Sequence, residues 1–553
     1  MSADASGPND AAPNADPSPD AVAESGAAPP RGAGRGYLPD RRIGYLCLLS
    51  AIALGIAKFA MTDDSAFHIV LFVSTVTCGL ALLTWFACFS GYPKALRVLV
   101  ALAAVAALLW VPMTYRVQRF SGTLIPTIVR RDAPDPDAVL PEIVATQTVD
   151  LSATSSDDFP QFLGPQRDAV VPHVNLDPDW DAHPPTELWR RPIGAGWSGF
   201  AAVGGYAVTL EQRGEEELVT CYDIETGEPQ WSSAIPASHA SVLGAKGPRS
   251  TPTIHDGRVY AYGATGVLRC LDGSTGEEIW SRDFLTELGI SQDEAEGPVA
   301  WGRAASPLIV DDKVVIPVGG DTSDSSITLM AIDQQTGKTV WESKGYQISY
   351  ASPMLMTLNG VRQIVSVNEN FVTGHDVETG QVLWEHAWDG VSNMNANCSD
   401  PRQVGDALVL LSKGYGKGGE LIEISPDDDL PLVVWENKGA LKTKFSNVSL
   451  LDGYAYALDD GVLSCVEVAT GDRIWRKGRY RYGQTLLVGR LLLVMSEFGE
   501  LALVEASPEA YRELGKVPVF DGQTWNTLCL YGNRLLVRNA DEAACYELTL
   551  AGP

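Results

Sequence analysis

A short phrase recurs down this chain and limits what the chain can become. A small residue is followed two positions on by an acid, then by a Thr-Gly pair, then by a tryptophan four residues past the glycine. It reads Cys221, Asp223, Thr226-Gly227, Trp231 and returns as Cys270, Asp272, Thr275-Gly276, Trp280. Further copies are Ala331, Asp333, Thr336-Gly337, Trp341, then Gly374, Asp376, Thr379-Gly380, Trp384, and Cys465, Glu467, Thr470-Gly471, Trp475. Copies spaced by roughly 40 to 60 residues specify a repeat architecture, such as propeller blades or solenoid units.

Each copy has a physical reading. The alternating apolar runs before it, such as Val259-Tyr260-Ala261-Tyr262, have the period of a strand. Thr-Gly supplies a tight turn in which glycine takes positive φ. The acid is a local acceptor for that turn and is not read as a catalytic carboxylate. The run ending in tryptophan is the next strand. No helical apolar period occurs in this region. Short strands with one large aromatic per unit fit four-stranded blades around an axis, with Trp231, Trp280, Trp341, Trp384, Trp435 and Trp475 docking each blade on its neighbour. Degenerate copies at Leu421…Trp435, Leu501–Glu505 and Ala544–Glu547 bring the count to eight. Glu187-Leu188-Trp189 reads as an outer strand lacking a blade, and the last unit lacks that strand. Pairing the two closes the ring and removes an open edge. The expected fold is an all-β, eight-bladed propeller over 158–553.

Ala331-Ile332-Asp333…Gly337-Lys338…Trp341 resembles the tryptophan-docking motif of propellers of the pyrroloquinoline quinone (PQQ) type. Asp158-Phe159-Pro160-Gln161-Phe162-Leu163-Gly164-Pro165-Gln166-Arg167-Asp168 resembles the lead-in of bacterial PQQ-binding-like repeat proteins. The resemblance implies the fold and leaves the activity open. It extends both to quinoprotein alcohol dehydrogenases and to the non-enzymatic lipoprotein of the outer-membrane barrel-assembly machine. The dehydrogenases carry a vicinal cysteine pair beside the cofactor, and this chain has no adjacent cysteines. It also has no C-x-x-C-H haem motif.

The N-terminal region differs. Residues 1–42 are rich in Ala, Pro, Gly, Ser and Asp and are expected to be disordered. Apolar runs at Ile43–Met61, Ile69–Ser90 and Ala95–Met113 are each long enough to span a bilayer, giving three expected transmembrane helices over 43–113. Residues 114–157 read as a polar linker. Arginines before the first run, with Lys94 and Arg97 in the second loop, favour an inner-membrane multi-pass protein with an extracytoplasmic propeller; Arg116, Arg119, Arg130 and Arg131 oppose it.

A net charge of −28 argues against nucleic acid as a partner. Of nine cysteines, Cys47, Cys78 and Cys88 fall in the apolar runs. Cys221, Cys270, Cys465 and Cys545 occupy the small-residue position of the repeat and are read as buried packing residues. Cys398 and Cys529 are unassigned. No nucleophile elbow, zinc-binding helix, P-loop or dinucleotide fingerprint is present. His375 lies within a repeat strand, and the lone His239, His255 and His386 do not pattern as metal ligands. Asp427-Asp428-Asp429 replaces Thr-Gly in the fifth unit and reads as a charged turn.

Segments joining one blade to the next converge near the axis on one face. They carry Trp197, Arg249, Trp301, Arg303, Tyr350, Asn397, Lys444 and Trp525, with Lys246, Asn395, Lys442 and Tyr482 nearby. Bases interleaved with aromatics point to a protein, peptide or anionic partner. The expected function is a membrane-anchored binding or scaffold platform with no catalytic residue, metal or cofactor. The alternative is a PQQ-dependent dehydrogenase, which requires PQQ with Ca²⁺ held by oxygen ligands.

Overall fold

The repeat phrase builds the turn between the third and fourth strands of each blade. Asp223 accepts hydrogen bonds from the Thr226 amide (2.8 Å) and hydroxyl (2.9 Å). The same pair of bonds recurs at Asp272, Asp333 and Asp376. The following glycine sits at φ of +70 to +76° in all five full copies. Its missing Cβ matters twice, because the ring of the preceding blade's tryptophan lies against it: a Cβ on Gly380 would come within 2.3 Å of Trp341. Across the ladder the tryptophan faces the small residue, as in Cys221↔Trp231 and Ala331↔Trp341.

In the computed structural model, which describes residues 38–39, 41–60, 64–143, 148–320, 325–392, 395–426 and 430–552, these units form eight antiparallel blades. In chain order the blades cover 201–235, 253–283, 308–344, 354–387, 402–437, 449–479, 484–518 and 529–547. The strand Thr186–Pro192 supplies the fourth strand of blade 8, with Trp189 opposite Cys545, so the ring closes as the orphan strand requires. Six tryptophans donate their indole N–H to a carbonyl in the next blade's turn, at 2.7–3.0 Å: Trp189, Trp231, Trp280, Trp341, Trp435 and Trp475. Trp384 is the exception. The blade after it lacks Thr-Gly, and Trp384 bonds Gln363 of its own blade at 2.5 Å instead. Asp427–Asp429, the acidic turn expected there, lies outside the described residues.

The lead-in phrase crosses the axis as a strap. Phe159 pairs with Ala202 of blade 1, and the Pro160 carbonyl accepts from Ile254 of blade 2. Arg167 donates to the Ser306 and Pro307 carbonyls of blade 3, and its own carbonyl accepts from Arg402 of blade 5. The Ala169 carbonyl accepts from Ser449 of blade 6, and Val170–Val171 adds a parallel strand to blade 7. Asp400 lies buried beside Arg167 and Arg402; burial pushes its carboxyl up to about 6 against their opposing pull. A strap bonded to so many blades closes this end of the central channel.

The N-terminal runs form helices α1 (Arg41–Ala60), α2 (Asp64–Phe89) and α3 (Lys94–Thr114). Among the described residues, two segments are long and apolar enough to cross a membrane, Phe67–Phe89 and Lys94–Thr114. The expectation of three spans is therefore met as two candidate spans, with a helix over the first run. Arg97 donates through one guanidinium nitrogen to the Ala87 and Cys88 carbonyls, which the C-terminal end of α2 leaves free. Residues 1–37 and 40, most of the expected disordered tail, lie outside the described residues. The chain divides into two units, one holding 41–51 and 75–106, the other 52–74 and 107–552.

Within the expected linker, β1 (Tyr115–Phe120) and β2 (Pro126–Arg130) form an antiparallel hairpin. Ser121 organises its tip: its amide bonds the Ile125 carbonyl, and its hydroxyl accepts from the Thr123 and Ile125 amides.

Candidate binding site at the propeller axis

The loops that join consecutive blades meet at the axis around a cavity of about 350 Å³. Aromatic side chains are prominent in its walls. Trp197 and Trp525 sit 4.9 Å apart, Trp525 and Phe445 5.0 Å, and Trp301 and Tyr350 5.1 Å. Phe162 of the strap also lines it.

Two bases enter the walls. The Lys444 ammonium lies 4.5 Å from the Tyr482 ring centre and 5.2 Å from that of Tyr415, a cation–π arrangement that keeps the charge beside an apolar surface. Arg249 donates to the Gly244 and Gly247 carbonyls, and burial pulls its guanidinium down to about 10. Glu497, fully buried at the rim, accepts from the Trp525 indole at 3.2 Å.

Six of the eight expected ligand-face residues line this cavity: Trp197, Arg249, Trp301, Tyr350, Lys444 and Trp525. Arg303 and Asn397 do not. Arg303 is buried and its Nε donates to the Val318 carbonyl, while the Asn397 amide donates to the Asn368 and Glu369 carbonyls. Both brace the loops from behind. Nearby, Lys246 pairs with Asp137 and Lys442 with Asp460. Cys398, unassigned from sequence, lines the cavity, with its thiol pushed up to about 12 by burial. His239 sits behind the wall as a neutral ring, held down to about 3 by burial and by Arg249 and Arg303.

Sequence reasoning missed the two ends of the cavity. Phe162 was legible only as part of a lead-in phrase. Ser121, Gly122 and Leu124 come from the hairpin tip, whose signal was a small-residue turn between strand-like runs at 115–120 and 126–130.

The lining contains no Asp or Glu, and among the described residues no three His, Cys, Asp or Glu side chains converge to hold a metal. Ca²⁺ takes six to eight oxygen ligands, with carboxylates prominent. The described residues lining this cavity do not supply the carboxylates that a quinone–Ca²⁺ pair would need.

Comparison with known proteins follows the same lines. The family described as outer membrane protein assembly factor BamB matches residues 181–296 and 215–477, together more than half of the chain. BamB of Shewanella oneidensis is 22% identical over 337 residues, covering 57% of this chain and 81% of that protein. The dehydrogenase subunit of the quinone alcohol dehydrogenase of Acetobacter aceti is 23% identical over 279 residues, covering 46% of this chain and 32% of that protein. Among solved structures, a europium-containing methanol dehydrogenase superposes with a TM-score of 0.54 at 11% identity, over 71% of this chain and 98% of that one. These likenesses to solved structures establish the fold alone.

The expectation of a multi-pass inner-membrane protein with an extracytoplasmic propeller is corrected here. The matching family is described as an outer-membrane assembly factor, and the described residues hold two candidate spans. Arg116 and Arg119, which counted against that orientation in the sequence, are engaged in ion pairs with Asp135 and Asp541. With eight blades, the docking tryptophans and this match in hand, the chain belongs to the PQQ-like β-propeller repeat family described as outer membrane protein assembly factor BamB.

Proposed function

We propose that the propeller is a non-catalytic binding platform whose contact face is the axial mouth and the blade-connecting loops around it. The observation that carries this reading is the cavity itself, with aromatic walls, two bases and no carboxylate in its lining. Aromatic and arginine anchors in desolvated pockets are the features that dominate protein recognition. The relatives favour the same choice. The chain spans 81% of a protein named as an assembly factor, but about a third of the alcohol dehydrogenase subunit. The two candidate spans give the platform a means of membrane attachment.

The test separates binding from chemistry. Full-length protein is incubated with PQQ and Ca²⁺ and assayed for alcohol-dependent reduction of an artificial electron acceptor. No turnover and no retained quinone absorbance is the expected result. Quinone-dependent turnover overturns the platform reading.

A further inference from the structure

The axial mouth already holds a piece of this chain. The tip of the β1–β2 hairpin, Ser121–Ile125, lies over the cavity, and Leu124 lines it from a left-handed backbone conformation (φ +63°). Three contacts seat the hairpin on the rim. The Gly122 amide donates to Glu497 at 2.5 Å, and the Gln523 side chain donates to the Phe120 carbonyl at 2.9 Å. Arg119 donates to both carboxylate oxygens of Asp541, at 2.7 and 2.9 Å.

We infer that the axial cavity is a receptor for an apolar-tipped β-hairpin of another polypeptide, and that the chain's own β1–β2 hairpin masks it as a resident competitor. This rests on the reading of the axial mouth as the contact face. Three features point to a hairpin. First, two of the three rim contacts are made to backbone groups, Gly122 N–H and Phe120 C=O, so any hairpin of the same path offers them whatever its sequence. Second, the seat selects at the tip: a Cβ on residue 122 would stand 2.2 Å from the Tyr482 ring, so the incoming turn needs glycine there. Third, the resident side chain underfills its socket. The cleft beside Leu124, lined also by Ile69, Phe162 and the tryptophans, keeps about 350 Å³ of space that a larger side chain can enter. A longer aromatic residue in place of Leu124 gains contacts that the resident hairpin leaves unmade. Lys444 and Arg249 in the walls add a preference for an acidic residue beside that tip.

The experiment uses full-length protein in detergent and a labelled cyclic peptide copying Tyr115–Arg130. Two protein variants unseat the resident hairpin by different means: Gly122→Val through the collision with Tyr482, and Arg119→Ser through loss of the Asp541 pair. Thermal unfolding and tryptophan emission confirm that each is folded. Fluorescence anisotropy is expected to show the peptide binding either variant at least 10-fold more tightly than wild type. A Leu124→Trp peptide should bind more tightly still, and a Leu124→Asp peptide not at all. Equal binding to wild type and variants overturns the inference, as does no binding to a folded variant. Binding of anilinonaphthalene sulfonate but not of peptide to the variants also overturns it, in favour of a small anionic aromatic ligand. Any of these failures leaves the quinone-turnover test of the platform reading untouched.

Discussion

Replacing Gly380 by alanine probes the contact on which blade docking depends. Two penalties fall on the added methyl. The residue sits at φ +71°, where an L-residue costs about 1–2 kcal/mol. The new Cβ also meets Trp341 at 2.3 Å and cannot be accommodated without moving a ring that is itself buried and bonded to Val377; overpacking of this kind costs about 1–3 kcal/mol. The expected loss is therefore about 2–5 kcal/mol. Gly360, in the same blade, provides the control: its φ is +78°, but nothing lies within 4 Å of its missing Cβ, so Gly360→Ala should cost only the backbone part, about 1–2 kcal/mol. Trp341→Ala alone should cost about 3–5 kcal/mol, as for large aromatic truncations. In that background Gly380→Ala should lose its steric part, giving a coupling of about 1–3 kcal/mol in the double-mutant cycle. Guanidinium midpoints followed by far-UV circular dichroism measure wild type and the four variants. Equal effects of the two alanines, or a coupling indistinguishable from zero, refute the docking argument.

Other outcomes follow from the same contacts. Asp333 and Asp376 are held below the usual carboxylate range, first by the Thr336 and Thr379 hydroxyls that bond them. Their contribution is thus present above about pH 4 and lost as pH falls through the depressed folded values; Asp333→Asn should flatten that acid limb of the unfolding curve. His239 is neutral in the fold down to about pH 3. The unfolded chain therefore binds the extra proton below about pH 6.5, stability falls from there toward pH 3, and His239→Gln should remove part of that slope. Cys398, with its thiol pushed up to about 12, should react with iodoacetamide at pH 8 far more slowly than in the unfolded chain, as mass spectrometry of the labelled peptide would show.

The sequence made the blades legible because the phrase is itself the structural unit. Acid, threonine, glycine and tryptophan are joined in one turn and one docking contact, so five copies and three decayed ones were enough to count the ring. The same logic explains Trp384, whose neighbour has lost the Thr-Gly turn that would receive it. The site was only half legible. Loop aromatics such as Trp197 and Trp525 could be placed at the axis by their position between strands. Arg303 and Asn397 share that position but point back to carbonyls, and spacing does not encode this. Phe162 and Leu124 reach the cavity from segments outside the repeat, where no period announces a role. The membrane reading rests on a small excess of basic residues before and between the apolar runs, a bias that bears on orientation and not on which membrane a chain meets.

Photo-crosslinking in the native cell tests the central claim most directly. A benzoylphenylalanine at Val242, an exposed position beside the cavity-lining Leu243, samples the axial mouth; one at Leu432, exposed on the outer strand of blade 5, samples the rim. If the axial face is the contact face, the Val242 probe yields discrete crosslinks to another polypeptide and the Leu432 probe does not. Crosslinks from Leu432 alone, with none from Val242, contradict the account.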